Sequence, residues 1–200
     1  MDQLFEKAKK IIKEHGGMLR TNEAMKAGIH PRTLYGMRDQ AILEQVARGL
    51  FRLSEYPPLG NPDLTVIGQK LSGVVICLVS ALSFHELTTQ IPREIHLAVK
   101  RESRSPVLDY PPIKVYRFSG KAFSEGIETH DIEGTSVRIY SPEKTLADCF
   151  KYRNKLGMDV VLEALKIYKE RRKRKIDELF HYARICRVEW IMRPYMEALL

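Results

Sequence analysis

The side chain best shaped to read a guanine is arginine, because its planar fork meets O6 and N7 together. Arg32 stands near the start of a predicted helix, with Thr33, Tyr35, Gly36 and Arg38 following it. On such a helix Thr33 and Tyr35 could touch base edges, thymine methyls or phosphates. Gly36 would remove a side chain where the helix approaches a duplex closely, and Arg38 is better placed for a phosphate. Arg48, in Ala47-Arg48-Gly49, sits at the tip of a predicted hairpin and could reach a phosphate or the minor groove. Arg20 and the free amides after Thr21 suit a phosphate at a helix start, where outward N–H groups carry partial positive charge. Asp39 opposes this reading, since a carboxylate near phosphates is repelled unless it accepts from cytosine N4. The plain alternative is a solvated basic face on a small domain that contacts protein.

The elements that would position these residues are legible. Leu4, Phe5, Ala8, Ile11 and Ile12 form one stripe of a helix, which Gly16-Gly17 ends. Thr21 is expected as the N-cap of a short helix over 22–27, with Glu23 near its positive end and Gly28 closing it. Pro31 restarts a helix that runs to about Gln40, with Leu34 and Met37 inward and Arg32, Tyr35, Gly36 and Asp39 on the other face. Residues 42–46 and 50–53 read as two strands of a hairpin. Helix, short helix, glycine turn, helix and hairpin is the order of a winged helix-turn-helix, whose second helix of the pair enters the major groove.

Tyr56-Pro57-Pro58-Leu59-Gly60-Asn61-Pro62 breaks regular structure. The expected division is a winged domain over 1–56, a linker over 57–62 and an α+β domain over 63–200. The net charge is +8 from 33 Lys and Arg against 25 Asp and Glu. It is uneven: residues 1–55 hold 10 basic against 7 acidic side chains, 56–165 are neutral, and 166–200 hold 10 against 5. That distribution suits a polyanionic partner at both ends. Residues 64–71 read as a helix, and 74–83 as a continuous apolar segment that is either a buried helix or a strand. Strands are expected over 94–100, 114–118, 127–132 and 136–140, the last two joined at Gly134. Ser141-Pro142-Glu143-Lys144 starts a helix, with Ser141 as N-cap, and a further helix covers 159–168.

Other chemistry is sparse. His85, His96 and His130 share no metal-type spacing, and no P-loop, GxGxxG or GxSxG occurs. Glu86, Glu94, Asp109 and Asp148 read as single carboxylates, and Glu143-Lys144 as helix capping. No catalytic residue, metal site or cofactor is expected, and a Mg²⁺-dependent nuclease lacks its carboxylate cluster. His85 and His96 read as packed side chains and Cys149 as core. The three cysteines form no disulfide framework. The start lacks a signal peptide and no run reaches a membrane span, so a cytoplasmic protein is expected. Residues 169–175 carry six positive charges in seven positions. Arg171, Arg172, Lys173, Arg174 and Lys175 are either a phosphate-contacting patch or a solvated helix end and linker. Two apolar stripes follow, over 176–183 and 188–199, with Pro194 kinking the second or opening a new helix.

Three blocks resemble the AbiEi family of antitoxins and transcriptional regulators from bacterial abortive-infection and toxin–antitoxin operons. They are Gly-Gly-Met-Leu-Arg-Thr-Asn-Glu-Ala-Met-Lys-Ala-Gly-Ile (16–29) with Ala-Arg-Gly-Leu-Phe-Arg-Leu (47–53), Ser-Ala-Leu-Ser-Phe-His-Glu-Leu-Thr-Thr-Gln-Ile-Pro (80–92), and Val-Arg-Ile-Tyr-Ser-Pro-Glu-Lys-Thr-Leu-Ala-Asp-Cys-Phe-Lys-Tyr-Arg (137–153). The resemblance implies a repressor of its own operon that binds inverted repeats in double-stranded DNA, two copies to an operator. It implies an antitoxin domain acting against a nucleotidyltransferase-like toxin, and supplies no residues for that step. A protein-binding antitoxin with no DNA role stands as the alternative, and a DNA-processing nuclease as a weaker one.

Overall fold

The computed structural model describes residues 2–56 and 60–199. Pro57, Pro58 and Leu59, the centre of the expected break, lie outside the described residues. Among the described residues, eleven helices and eight strands in two sheets form an α+β fold. The chain divides into two compact units, 1–69 with 132–135, and 70–131 with 136–200.

In the first unit the apolar stripe builds α1 (Asp2–Glu14), and Gly16 and Gly17 take the left-handed conformation that ends it. Gly17 N–H returns to the Ile12 carbonyl at 2.9 Å. The next three residues form β1 (Met18–Arg20), a strand absent from the sequence expectation. It exists by pairing antiparallel with β3 (Leu50–Leu53), which also pairs with β2 (Leu43–Ala47) to give the order β1-β3-β2. Between them lie α2 (Thr21–Lys26) and α3 (Pro31–Asp39). Ile12, Ala24, Leu34, Met37, Leu43, Phe51 and Leu53 converge in one core. Helix α4 (Pro62–Lys70) follows and buries Leu64, Val66 and Ile67.

The second unit is built on a five-stranded mixed sheet. Its strands are β4 (Val75–Ile76), β5 (Ile95–Lys100), β6 (Ile113–Phe118), β7 (Ile127–Ile132) and β8 (Thr135–Tyr140), in the order β6-β5-β4-β8-β7. The ambiguous segment 74–83 is both alternatives in turn: β4, then α5 (Leu78–Phe84). Both are buried, so no face met water and no periodicity was imprinted. Six helices complete the unit: α6 (Lys121–Ser124), α7 (Pro142–Lys151), α8 (Arg153–Leu156), α9 (Met158–Glu170), α10 (Ile176–Ile185) and α11 (Glu189–Leu199). Pro194 lies inside α11 and opens no new helix.

Helix α7 starts as expected, with Ser141 Oγ accepting from the Lys144 N–H at 3.2 Å. Its charged residues do more than cap. Lys144 is wholly buried, its Nζ 2.5 Å from Asp148 Oδ2 and 4.2 Å above the centre of the Tyr140 ring. Cys186 Sγ donates to the other Asp148 oxygen at 3.2 Å, and the Tyr168 hydroxyl donates to buried Glu143 at 2.7 Å. Asp148 is therefore not the lone carboxylate the sequence suggested. Burial raises its pKa against the opposing pull of Lys144, and burial pushes the Cys186 thiol up to about 12, which keeps its proton available to donate. Cys149 is wholly buried, as expected. His85 Nε2 donates to the Tyr140 carbonyl at 2.7 Å.

Candidate nucleic-acid interface

Helix α3 separates its residues sharply. Leu34 and Met37 are buried against α1 and the sheet, while Arg32 and Tyr35 are exposed and Thr33 and Arg38 half-buried. The helix begins at a cap that the sequence reading missed: His30 Nδ1 accepts from the Arg32 N–H at 3.2 Å, ahead of Pro31 at the first helical position. The His-Pro pair was the available signal. This bond fixes the Arg32 backbone and leaves its guanidinium in solvent. Tyr35 is 44% exposed and sets its ring edge against Phe51 of β3, centroids 5.8 Å apart. Helix and hairpin are thus packed through a residue that also faces water.

Arg38 lies over the Tyr35 ring at 5.2 Å and forks onto Asp39 Oδ1 through Nε at 3.0 Å and Nη2 at 2.7 Å. This answers the difficulty posed by Asp39, because the carboxylate has a cation on the protein itself. It also means that a phosphate at Arg38 competes with an existing partner. Gly36 also has a reason within the fold. A Cβ there would meet the Phe5 ring of α1 at 3.2 Å, so the packing of α1 on α3 favours glycine at this position whatever approaches from outside.

The turn between β2 and β3 holds exposed Arg48 and half-buried Gly49. Gly49 takes φ +71, and its carbonyl accepts from the Thr21 N–H at 3.0 Å and the Thr21 hydroxyl at 3.4 Å. Thr21 is accordingly the first residue of α2, not its cap. It ties the start of α2 to the hairpin tip that carries Arg48. One of the amides after Thr21 is engaged too, since Glu23 N–H donates to Asn22 Oδ1 at 2.9 Å. Arg20 occupies the cap position, where the Glu23 carboxylate accepts its N–H at 3.0 Å. Its Nε is buried without a hydrogen-bond partner, 3.9 Å from Glu23.

The basic run 171–175 links the end of α9 to the start of α10, with Arg171 at the C-cap of the first and Lys175 at the N-cap of the second. Arg171 Nη2 donates to the His85 carbonyl. Arg174 Nη1 donates to the Lys169 carbonyl at 3.0 Å, and Lys175 Nζ pairs with Glu178 at 3.1 Å. Arg172 and Lys173 are exposed. Only part of the run is therefore open to a phosphate. Among the described residues, no group of three or more His, Cys, Asp and Glu could hold a metal ion, and no helix is long and apolar enough to cross a membrane.

Comparison with known proteins bears on this geometry at two levels. The fold is similar to that in the crystal structure of the RV2827C protein from Mycobacterium tuberculosis, at a TM-score of 0.59 and 13% identity, covering 88% of this chain and 69% of that one. At that identity the likeness speaks for the fold alone. No curated protein matches the chain. Residues 6–54, from within α1 through β3, match the family described as "Transcriptional regulator, AbiEi antitoxin", so the likeness to that family falls on the segment that carries the candidate interface.

Proposed function

We propose that this protein is a DNA-binding repressor of its own operon and an antitoxin. In this reading residues 1–56 are a winged helix-turn-helix domain, 57–62 a linker and 63–200 the antitoxin domain. The observation that carries it is α3 in the family-matched segment: its apolar face is wholly buried while Arg32 and Tyr35 remain exposed beside a hairpin bearing Arg48. Helix α3 enters the major groove, Arg32 forks onto a guanine, and Thr33 and Tyr35 touch neighbouring base edges or phosphates. Arg48 reaches the backbone at the flank, held there by the Thr21–Gly49 link. Arg38 exchanges Asp39 for a phosphate, and Arg172 and Lys173 add phosphate contacts.

Two copies bind an inverted repeat, and the second unit antagonises a nucleotidyltransferase-like toxin in the cytoplasm without itself being an enzyme. The regulator and antitoxin parts rest on the family match. Footprinting on the few hundred base pairs upstream of the protein's own gene, against competitor DNA, tests the proposal. Protection of an inverted repeat is expected, with affinity that falls steeply as salt rises. No protection at modest salt overturns autoregulation and leaves a protein-binding antitoxin.

A further inference from the structure

The second unit contains an open pocket of 490 Å³ whose lining includes Arg101, Lys121, Lys151 and Arg187, with Ser119 among them. The four cations come from four places in the chain. Arg101 follows β5, Lys121 opens α6, Lys151 ends α7 and Arg187 follows α10. No acidic side chain lines the pocket. Among the described residues Arg101, Lys151 and Arg187 have no carboxylate within ion-pair distance, while Lys121 has Glu125 at 3.8 Å and is itself 79% exposed. Gathering like charges is unfavourable unless an anion joins them. Arg101, Lys121 and Lys151 lie in the stretch 56–165, which is neutral overall, so general basicity does not account for these three.

Arg187 adds an independent observation. It follows the C-cap of α10 at φ +59, in a Schellman turn closed by Arg187 N–H to the Arg184 carbonyl at 3.0 Å and Val188 N–H to the Ala183 carbonyl at 2.8 Å. Glycine is the easy residue for that left-handed position, and an arginine there is strained. The fold carries a guanidinium where its own backbone would be better served by none.

We propose that this pocket binds an oligophosphate, such as the triphosphate chain of a nucleotide. Four cations balance the roughly four negative charges of a triphosphate, and Ser119 supplies a neutral hydrogen-bonding group. The lining has no aromatic ring on which a base would stack, so the phosphate chain carries recognition and the base adds little. The proposal is independent of DNA binding by α3.

Calorimetric titration of the full chain with sodium tripolyphosphate, then with ATP, tests it. Saturable one-to-one binding is expected for both, with affinities within a few-fold of each other and weakened by salt. Arg187→Gly is expected to lower both affinities about tenfold or more. The same variant keeps or raises the melting temperature, because glycine relieves the left-handed strain. Lys151→Gln should weaken binding as well, whereas Arg32→Ala should leave it intact. Absence of saturable binding overturns the proposal, as does equal tripolyphosphate affinity in the Arg187→Gly variant.

Discussion

Helices α3 and α7 begin alike and end in opposite surroundings. Each has a side chain that accepts an N–H of its first turn, His30 for Arg32 and Ser141 for Lys144, both at 3.2 Å, and each has proline at the first helical position. Helix α3 then buries only Leu34 and Met37, while α7 buries every residue from Glu143 through Phe150. On α3, Arg32 keeps its water and remains available to a ligand. On α7, Lys144 and Asp148 lost theirs and are stable only as a pair, completed by Cys186 and the Tyr140 ring. The same start code thus serves a charge displayed for binding in one unit and a charge locked into the core in the other.

That contrast can be broken most forcefully at α7. Lys144→Met leaves Asp148 buried without its cation and is expected to cost about 3–5 kcal/mol of unfolding free energy, read from urea denaturation. Adding Asp148→Leu should recover most of the loss. A single-variant cost below about 1 kcal/mol would show that the pair does not hold α7 in place.

At α3 the expected effect is on binding and not on folding. Arg32→Ala should lose about 1–3 kcal/mol of operator affinity and relax the preference at one base pair, with an unchanged unfolding midpoint. Titrations against operators altered one position at a time check this, and a uniform loss across them would reassign Arg32 to the backbone.

His96 sharpens the comparison, since it can avoid charge altogether. It is buried on β5 against the Tyr116 ring, with Nδ1 unpartnered, and burial holds its pKa down to about 4. The unfolded histidine takes up a proton near its ordinary 6.5 while the folded one resists until about 4. Between those values the unfolded state binds more protons, so stability falls as pH falls, by about 1 kcal/mol per unit. Denaturation at pH 7, 6 and 5 should show this slope, and His96→Phe should be flatter than the wild type. Parallel slopes would place the pH dependence elsewhere.

The smallest effect is expected outside both helices. Arg172→Ala and Lys173→Ala should each weaken all DNA about equally and reduce the salt slope by about 1 if the side chain meets a phosphate. An unchanged slope assigns these two residues to solvent.

What the sequence determined by itself is what neighbours within one or two turns decide. The stripe from Phe5 to Ile12, the glycine stop after α1, the restart at Pro31 and the Ser141 cap all depend on contacts at short separation, and all are in the fold, whereas Leu4, expected in the same stripe, is 63% exposed. The exposed arginine of α3 was legible for the same reason, because helical period alone sets Arg32 opposite Leu34 and Met37. Tertiary structure decided the rest. Strand β1 is three residues long, too short to show alternation, and exists because β3 lies beside it. Gly36 shares a helical face with Arg32 in sequence, yet the Phe5 ring, 31 positions earlier, claims the space beside it. Asp148 read as solitary because one partner, Cys186, is 38 residues away and the other, Lys144, read as a cap. Whether a charge is displayed or buried depends on what packs over it, and the residues that do so come from distant parts of the chain.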